Sequence, residues 1–141
     1  MNSTTQTDQA TQNLVEIPFL LLTGGILYWA IEICYRGHSH WTMALCGALC
    51  FFGIYKINER LLAIPFLLRA LLGAGLIICV EFFAGCLLNL WLGMQIWDYS
   101  AQPLHFLGQI CLPFFVLWFL LCIPAGLLCR FIRRVVFLKY E

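Results

Sequence analysis

Four long apolar segments decide what this chain can fold into. They run from about Leu14 to Ile33, Ser39 to Ile57, Leu61 to Leu92 and Leu104 to Leu128. Each has about the twenty residues needed to cross the hydrocarbon of a bilayer, where only a helix satisfies the backbone of a single segment. The segments are continuously apolar and do not alternate, which excludes a β-barrel. The sequence therefore predicts an all-α, polytopic membrane protein with four transmembrane helices.

Charged side chains are too scarce to cover a water-facing surface. Charged residues make up 11% of the 141 residues and hydrophobic residues 62%, whereas a soluble domain carries about 25% charged residues. The net charge of +1 also argues against binding to nucleic acid. We therefore predict that the lipid bilayer surrounds most of the chain and that nucleic acid is not a partner.

No motif in the sequence indicates a metal site, a cofactor or a catalytic centre. Seven of the eight cysteines lie within or at the ends of apolar segments, and no CxxC pair occurs. Cysteines in such surroundings behave as small hydrophobic side chains. The pair His38 and His40 has no further ligands nearby in the sequence. The GxSxG, HExxH and Walker A motifs are also absent, so we predict a protein that is not an enzyme and has no cofactor.

Composition divides the chain into three regions. Residues 1–13 are polar and contain no lysine or arginine, and we expect them to form a disordered tail. We predict a single four-helix transmembrane domain over residues 14–129 and a basic cytoplasmic tail over residues 130–141. Within the domain, Pro113 and Pro124 are expected to kink the fourth helix.

The distribution of lysine and arginine predicts the orientation in the membrane. Basic residues concentrate on the cytoplasmic side of membrane proteins. Six of them fall between the second and third segments or near the C-terminus, whereas Arg36 alone falls on the opposite side. We therefore expect a multi-pass protein of the cell membrane with both termini in the cytoplasm. The six residues are Lys56, Arg60, Arg130, Arg133, Arg134 and Lys139.

Ionisable side chains inside the apolar segments are candidates for function, because a charge within the bilayer costs a few kcal/mol. Glu32 lies near the outer end of the first segment and Glu81 in the outer half of the third. Arg36 follows Glu32 by four residues, so the two can pair on one helix face. Arg69 lies about 18 Å from Glu81 along a helix and cannot neutralise it there.

With this orientation, polar side chains from three helices fall in the outer half of the membrane. We predict that they form one polar cluster, roofed by the segment WDYS. In a functional interpretation Glu81 responds to protons or cations, and His105 is a partner that changes charge near neutral pH. In a structural interpretation the same groups hydrogen-bond to one another and fix the helix packing. The predicted cluster contains Glu32, Arg36, Glu81, Asn89, Asp98, His105 and Gln109, with Trp97, Tyr99 and Ser100 in the outer loop.

The stretch 80–121 carries the pattern of a known family. Glu81 is followed by Ala84 and Gly85, then by WDYS at 97–100, by Pro103 and by GQICLP at 108–113. This pattern resembles the bacterial Putative ABC-transporter type IV family, also described as CmpB-like permease-type membrane proteins. The resemblance implies an integral membrane protein with a transport function, for which a separate chain would supply the ATPase.

Three functions are consistent with these features. The first is a small permease-type transport component, which we expect to form a homo-oligomer or to join another membrane subunit because four helices enclose little space. The second is a membrane scaffold or a regulatory or assembly subunit that transports nothing. The third, which we consider the weakest, is an enzyme acting on a lipid or isoprenoid headgroup with Asp98, Glu81 and His105 as acid–base groups.

Overall fold

The computed structural model describes the backbone of residues 2–139 and the side chains of residues 6–139. Four α-helices account for most of the described chain: α1 (Asn2–Arg36), α2 (Trp41–Arg60), α3 (Phe66–Gly85) and α4 (Leu112–Phe131). A π-helical turn extends α3 over Cys86–Trp91, and another extends α4 over Ile132–Val136. Two short antiparallel strands, β1 (His105–Phe106) and β2 (Ile110–Cys111), lie between α3 and α4.

All four helices are long and apolar enough to cross a membrane. The candidate spans are Gln6–Arg36, Trp41–Arg60, Phe66–Trp91 and Leu112–Val136. Exposed leucines and aromatic residues occur on every one of them, which is the surface that lipid would cover. The predicted all-α, four-span membrane fold is therefore confirmed.

The expected disordered tail is not confirmed, because α1 already begins at Asn2. The polar residues 6–13 have exposed side chains and form one continuous helix with the apolar segment that follows. Once a helix has nucleated, each further residue adds a hydrogen bond at little cost. The apolar part of α1 therefore provides a nucleus from which the helix extends into the polar residues. Met1 lies outside the described residues.

The predicted start of the fourth span at Leu104 is wrong, since α4 begins at Leu112. Leu104, Leu107 and Gly108 have left-handed backbone conformations, with φ of 52°, 54° and 69°. A right-handed helix cannot pass through such residues, so 104–111 form the β1–β2 hairpin instead. Pro113 occupies the first turn of α4, where a proline is tolerated without a kink. Pro124 lies inside the helix, and the kink expected there stays a prediction.

The chain divides into two compact units, one extending through Phe52 and the other starting at Gly53. In the first unit, glycines allow α1 and the beginning of α2 to pack closely. A Cβ atom added to Gly24 would lie 2.4 Å from Cβ of Phe51, and one added to Gly47 would lie 2.3 Å from Cβ of Tyr28. Small residues that let backbones approach in this way are typical of contacts between membrane helices.

In the second unit, α3 and α4 pack antiparallel. The beginning of α3 meets the later part of α4, where a Cβ atom on Gly126 would lie 2.8 Å from the Phe66 ring. The later part of α3 meets the beginning of α4, where Trp118 hydrogen-bonds to Glu81. The second unit therefore has two ends, and buried polar groups lie at both.

One of these ends is basic. The backbone carbonyl of Asn58 accepts hydrogen bonds from Nη1 of Arg69 at 3.2 Å and from Nη1 of Arg133 at 2.8 Å. This carbonyl lies in the last turn of α2, where carbonyl groups have no partner within the helix and the helix dipole favours cations. Glu59, the next residue, accepts hydrogen bonds from Lys56 at 2.8 Å and Lys139 at 3.0 Å. The end of α2 is thus tied to α3 and to the C-terminal extension of α4.

Candidate functional site

Glu81 lies at the other end of the second unit and is buried, with 6% of its surface exposed. Its Oε1 atom accepts a hydrogen bond from the Tyr99 hydroxyl at 2.9 Å, and its Oε2 atom accepts one from Nε1 of Trp118 at 3.1 Å. A buried carboxylate is stable only when its oxygens have such partners. We call Glu81, Tyr99 and Trp118 the Glu81 site.

Each residue of the Glu81 site comes from a different part of the fold. Glu81 lies on α3, Trp118 on α4 and Tyr99 on the loop that joins them. The Tyr99 ring stacks on Phe114 with centroids 4.5 Å apart, and Phe114 lies 6.1 Å from Trp118. This row of rings orients the two donors toward the carboxylate.

A second buried group, the amide cluster of Asn89, Trp97 and Gln109, lies beside the π-helical extension of α3. Asn89 Nδ2 donates to Oε1 of Gln109 at 2.8 Å, and Trp97 Nε1 donates to the backbone carbonyl of Gln109 at 3.1 Å. Asn89 Oδ1 accepts from the backbone N–H of Ile96 at 2.7 Å. Gly85 makes room for this cluster, because a Cβ atom there would lie 2.5 Å from Oε1 of Gln109.

Asp98 and its neighbours form an exposed turn above these buried groups. The Asp98 carboxylate accepts hydrogen bonds from the Ser100 hydroxyl and, at 2.9 Å, from the Ser100 backbone N–H. The hydroxyl and then the backbone N–H of Ser100 lower the pKa of Asp98, and the charge of His105 adds a smaller contribution. His105 itself is exposed, and its Nδ1 atom accepts from the backbone N–H of Gly108 at 3.2 Å.

Glu32 and Arg36 belong to the first unit. Arg36 Nε donates to Oε2 of Glu32 at 3.1 Å, and the Tyr28 hydroxyl donates to Oε1 at 3.1 Å. The predicted pairing of Glu32 with Arg36 on one helix face is therefore present. The exposed surfaces of the two partners, 12% for Glu32 and 25% for Arg36, place the pair at a partly buried position.

The structure therefore brings the predicted residues of the second unit into three neighbouring groups. Glu81 and Tyr99 share one site, Asn89, Trp97 and Gln109 share another, and Asp98, Ser100 and His105 form the exposed turn. The joining of these groups with Glu32 and Arg36 stays a prediction.

Trp118 and Phe114 are the site residues that the sequence-based prediction missed. A signal for Trp118 does exist in the sequence, because its indole N–H must find an acceptor when the ring is buried in an apolar span. Glu81, on the preceding span, is a natural acceptor for it. No comparable signal marks Phe114, whose role is to support the Tyr99 ring by stacking.

The Glu81 site presents one carboxylate to two neutral donors. Both oxygens of the carboxylate accept hydrogen bonds from neutral donors. These hydrogen bonds would weaken if a proton or a cation bound to the same oxygens. Within residues 6–139, no group of three or more His, Cys, Asp or Glu side chains is arranged to hold a metal ion. The chemistry that the site offers is therefore that of a single buried carboxylate.

Comparison with known proteins gives a single assignment. No curated protein and no solved structure matches the chain significantly. The family described as Putative ABC-transporter type IV matches residues 19–138, which include the later part of the first span, the other three spans, the Glu81 site and the amide cluster. The match therefore covers most of the chain and agrees with the four membrane-spanning helices. The chain belongs to the Putative ABC-transporter type IV family.

Proposed function

We propose that this protein is a permease-type component of a membrane transport system, in which Glu81 is the group that responds to a proton or a cation. The observation that carries this proposal is the burial of the Glu81 carboxylate, between neutral donors, inside a helix that can span a membrane. Such a carboxylate is costly in lipid and usually marks a transport pathway or a proton relay.

The position of Tyr99 provides a way to couple Glu81 to a larger movement. Tyr99 lies on the loop between α3 and α4, and its hydroxyl donates to Glu81. A proton or cation on the carboxylate weakens this bond and frees the loop from α3. The hydrogen bond from Trp118 to Glu81 weakens in the same step, so α4 and the loop respond together. In the proposed orientation, with both termini in the cytoplasm, this response lies in the outer leaflet.

Two further partners belong to the proposal. A separate ATPase chain would supply energy, as the family description suggests. α3 and α4 pack directly against each other through Gly73 and Gly126, so these two helices enclose little space between them. A second copy of the chain or another membrane subunit would therefore complete the pathway. An ATPase would meet the basic end of the second unit, which lies on the cytoplasmic face in the proposed orientation.

Purification of the tagged protein in mild detergent tests this function. We expect an ATP-binding chain to co-purify and the complex to hydrolyse ATP after reconstitution into liposomes, which requires no knowledge of the substrate. Glu81→Gln removes the charge and should change the rate of ATP hydrolysis about tenfold, the effect expected of a residue in the coupling step. Asp8→Asn, an acid-to-amide change at an exposed position of α1, is the matched control and should leave the rate unchanged.

A scaffold or assembly subunit is the second candidate, and the amide cluster favours it. Asn89, Trp97 and Gln109 are buried and hydrogen-bonded to one another or to the adjacent backbone, which is how polar groups fix helix packing in lipid. If no ATP-binding chain co-purifies and Glu81→Gln changes only the stability of the protein, the transport proposal is wrong and the scaffold interpretation replaces it.

A further inference from the structure

The segment that joins α3 to α4 exposes apolar side chains at a place where a water-facing loop would be polar. Leu104 is 77% exposed, and other large side chains of the same segment are more than a third exposed. We call this set the apolar lip. It contains Leu92, Met94, Leu104, Phe106 and Leu107.

Leu104, Phe106 and Leu107 of the lip lie on the β1–β2 hairpin, which is held in place by buried residues and hydrogen bonds. Trp97 is buried, and so are Gln109 and Cys111 of the hairpin itself. The backbone N–H of Tyr99 donates to the Gly108 carbonyl at 2.7 Å, and the N–H of Gln109 donates to the Phe106 carbonyl at 3.1 Å. The exposure of the leucines therefore comes from a hydrogen-bonded hairpin that directs them outward.

Leu104 and Leu107 adopt left-handed conformations, with φ of 52° and 54°. A leucine rarely adopts this conformation, which glycine and asparagine tolerate far better. Both side chains are more than half exposed in this hairpin. The sequence thus keeps apolar side chains at two positions where local backbone energetics favour other residues.

The segment that carries the apolar lip joins two neighbouring spans directly. It begins after Trp91, the last residue of one span, which is 77% exposed, and ends at Cys111, just before Leu112, the first residue of the next span, which is 47% exposed. A segment that joins two adjacent spans must lie at the boundary between membrane and water. Between residues 92 and 111, Asp98 is the only charged residue apart from the titratable His105.

We propose that the apolar lip inserts into the bilayer, at the boundary between headgroups and acyl chains of the leaflet on that side. Apolar side chains at this depth gain burial while the polar turn at Asp98 and Ser100 remains in water. The Phe106 ring, which lies 5.6 Å from the Phe82 ring of α3, anchors the lip to the span. This inference does not depend on the transport role.

Site-specific photo-crosslinking in phospholipid nanodiscs tests the proposal. The photoreactive residue benzoylphenylalanine is placed at position 104, at position 107 or at position 102. Gln102 is the matched control, because it is exposed on the same segment but polar. We expect about fivefold more phospholipid adduct at 104 and 107 than at 102, because only the lip residues reach the acyl chains.

Two results would overturn the proposal. Equal adduct formation at 102, 104 and 107 would place the whole segment in water or the whole segment in lipid. Crosslinks from 104 or 107 to a second copy of the chain would instead assign the lip to self-association. The same measurement at position 106 replaces one aromatic residue by another, and it keeps the test decisive if the leucine positions do not tolerate the larger side chain.

Discussion

At the residue scale, Glu81 joins parts of the chain that are distant in sequence. The carboxylate on α3 accepts from Tyr99, 18 residues later, and from Trp118, 37 residues later. Loss of the carboxylate would remove the acceptor of both hydrogen bonds, and a buried donor that finds no other acceptor costs about 1–3 kcal/mol. Glu81 therefore matters for stability whether or not it also takes part in transport.

A double-mutant cycle between Glu81 and Tyr99 measures this hydrogen bond. We expect a coupling energy of about 1 kcal/mol between Glu81→Leu and Tyr99→Phe. This value is below the range for hydrogen bonds to charged groups in water-soluble proteins, because double-mutant cycles in membrane proteins give smaller coupling energies. Reversible unfolding in mixed detergent micelles provides the free energies. Additive effects of the two substitutions would mean that the Tyr99 hydroxyl does not bind Glu81.

Asp98 provides a prediction of pH dependence. The hydroxyl and backbone N–H of Ser100 lower the pKa of Asp98 below its ordinary value of 3.8. A lowered pKa in the folded state means that the ionised carboxylate stabilises the turn above the unfolded pKa, and that this contribution is lost as the pH falls through the folded pKa. Carboxyl-carbon NMR should therefore give a midpoint below 3.8.

The substitution Ser100→Ala is the control for the Asp98 titration. It removes the hydroxyl donor and leaves the backbone N–H, so the pKa of Asp98 should move back toward its ordinary value without reaching it. A midpoint that does not change in Ser100→Ala would contradict the role assigned to the hydroxyl.

The sequence singles out Glu81 because a charge in an apolar segment is expensive wherever it lies. Its partners are harder to predict. The Tyr99 hydroxyl reaches Glu81 only because the loop folds back over the end of α3, and nothing in the local sequence fixes that path. The i,i+4 pair of Glu32 and Arg36 is predictable because one helix sets its geometry.

At the scale of the elements, the boundary between α3 and α4 shows why apolar content alone does not locate a helix. The residues 104–111 are apolar enough to be read as the start of a span, yet they form a hairpin. Gly108 and the proline in the first turn of α4 are the signals for the true helix start, since proline is favoured there. Hydropathy predicts that a span exists, whereas backbone preferences decide where it begins.

Two glycines of α3 allow a matched test of the packing between α3 and the β1–β2 hairpin. A Cβ atom at Gly85 would lie 2.5 Å from Oε1 and 2.9 Å from Cβ of Gln109, whereas one at Gly75 would meet no atom within 4 Å. In Gly85→Ala, overpacking should lower the free energy of unfolding by about 1–3 kcal/mol. The higher helix propensity of alanine should offset about 1 kcal/mol of that loss.

The Gly75→Ala variant isolates that gain in helix propensity. It should stabilise the protein by up to about 1 kcal/mol, because alanine restricts the unfolded chain and no side chain must move. Unfolding in mixed micelles, read for both variants under the same conditions, separates the two effects. Equal changes in the two variants would show that Gln109 does not pack against Gly85.

At the scale of the whole molecule, the second unit has ends of opposite character. One end holds the buried arginines and the lysines around Asn58 and Glu59, and the other holds the Glu81 site, the amide cluster and the apolar lip. The sequence predicts this polarity because basic residues collect near the ends of spans two and four. The burial of Arg69 and Arg133 was not predictable, since it depends on their sharing the Asn58 carbonyl.

The orientation of these ends in the membrane is the last prediction. The excess of lysine and arginine at one end should place that end, and both termini, in the cytoplasm. A fluorescent protein fused after the C-terminus should therefore fluoresce, and an alkaline phosphatase inserted after Ala101, in an exposed part of the loop, should be active because it lies outside the cytoplasm.

Replacing Arg130 and Arg134 with glutamine should produce a measurable fraction of inverted molecules, since the charge difference that sets orientation becomes smaller. An inactive phosphatase together with a C-terminal fusion that does not fluoresce would contradict this orientation. It would show that the protein has the opposite orientation, with Glu81 toward the cytoplasm.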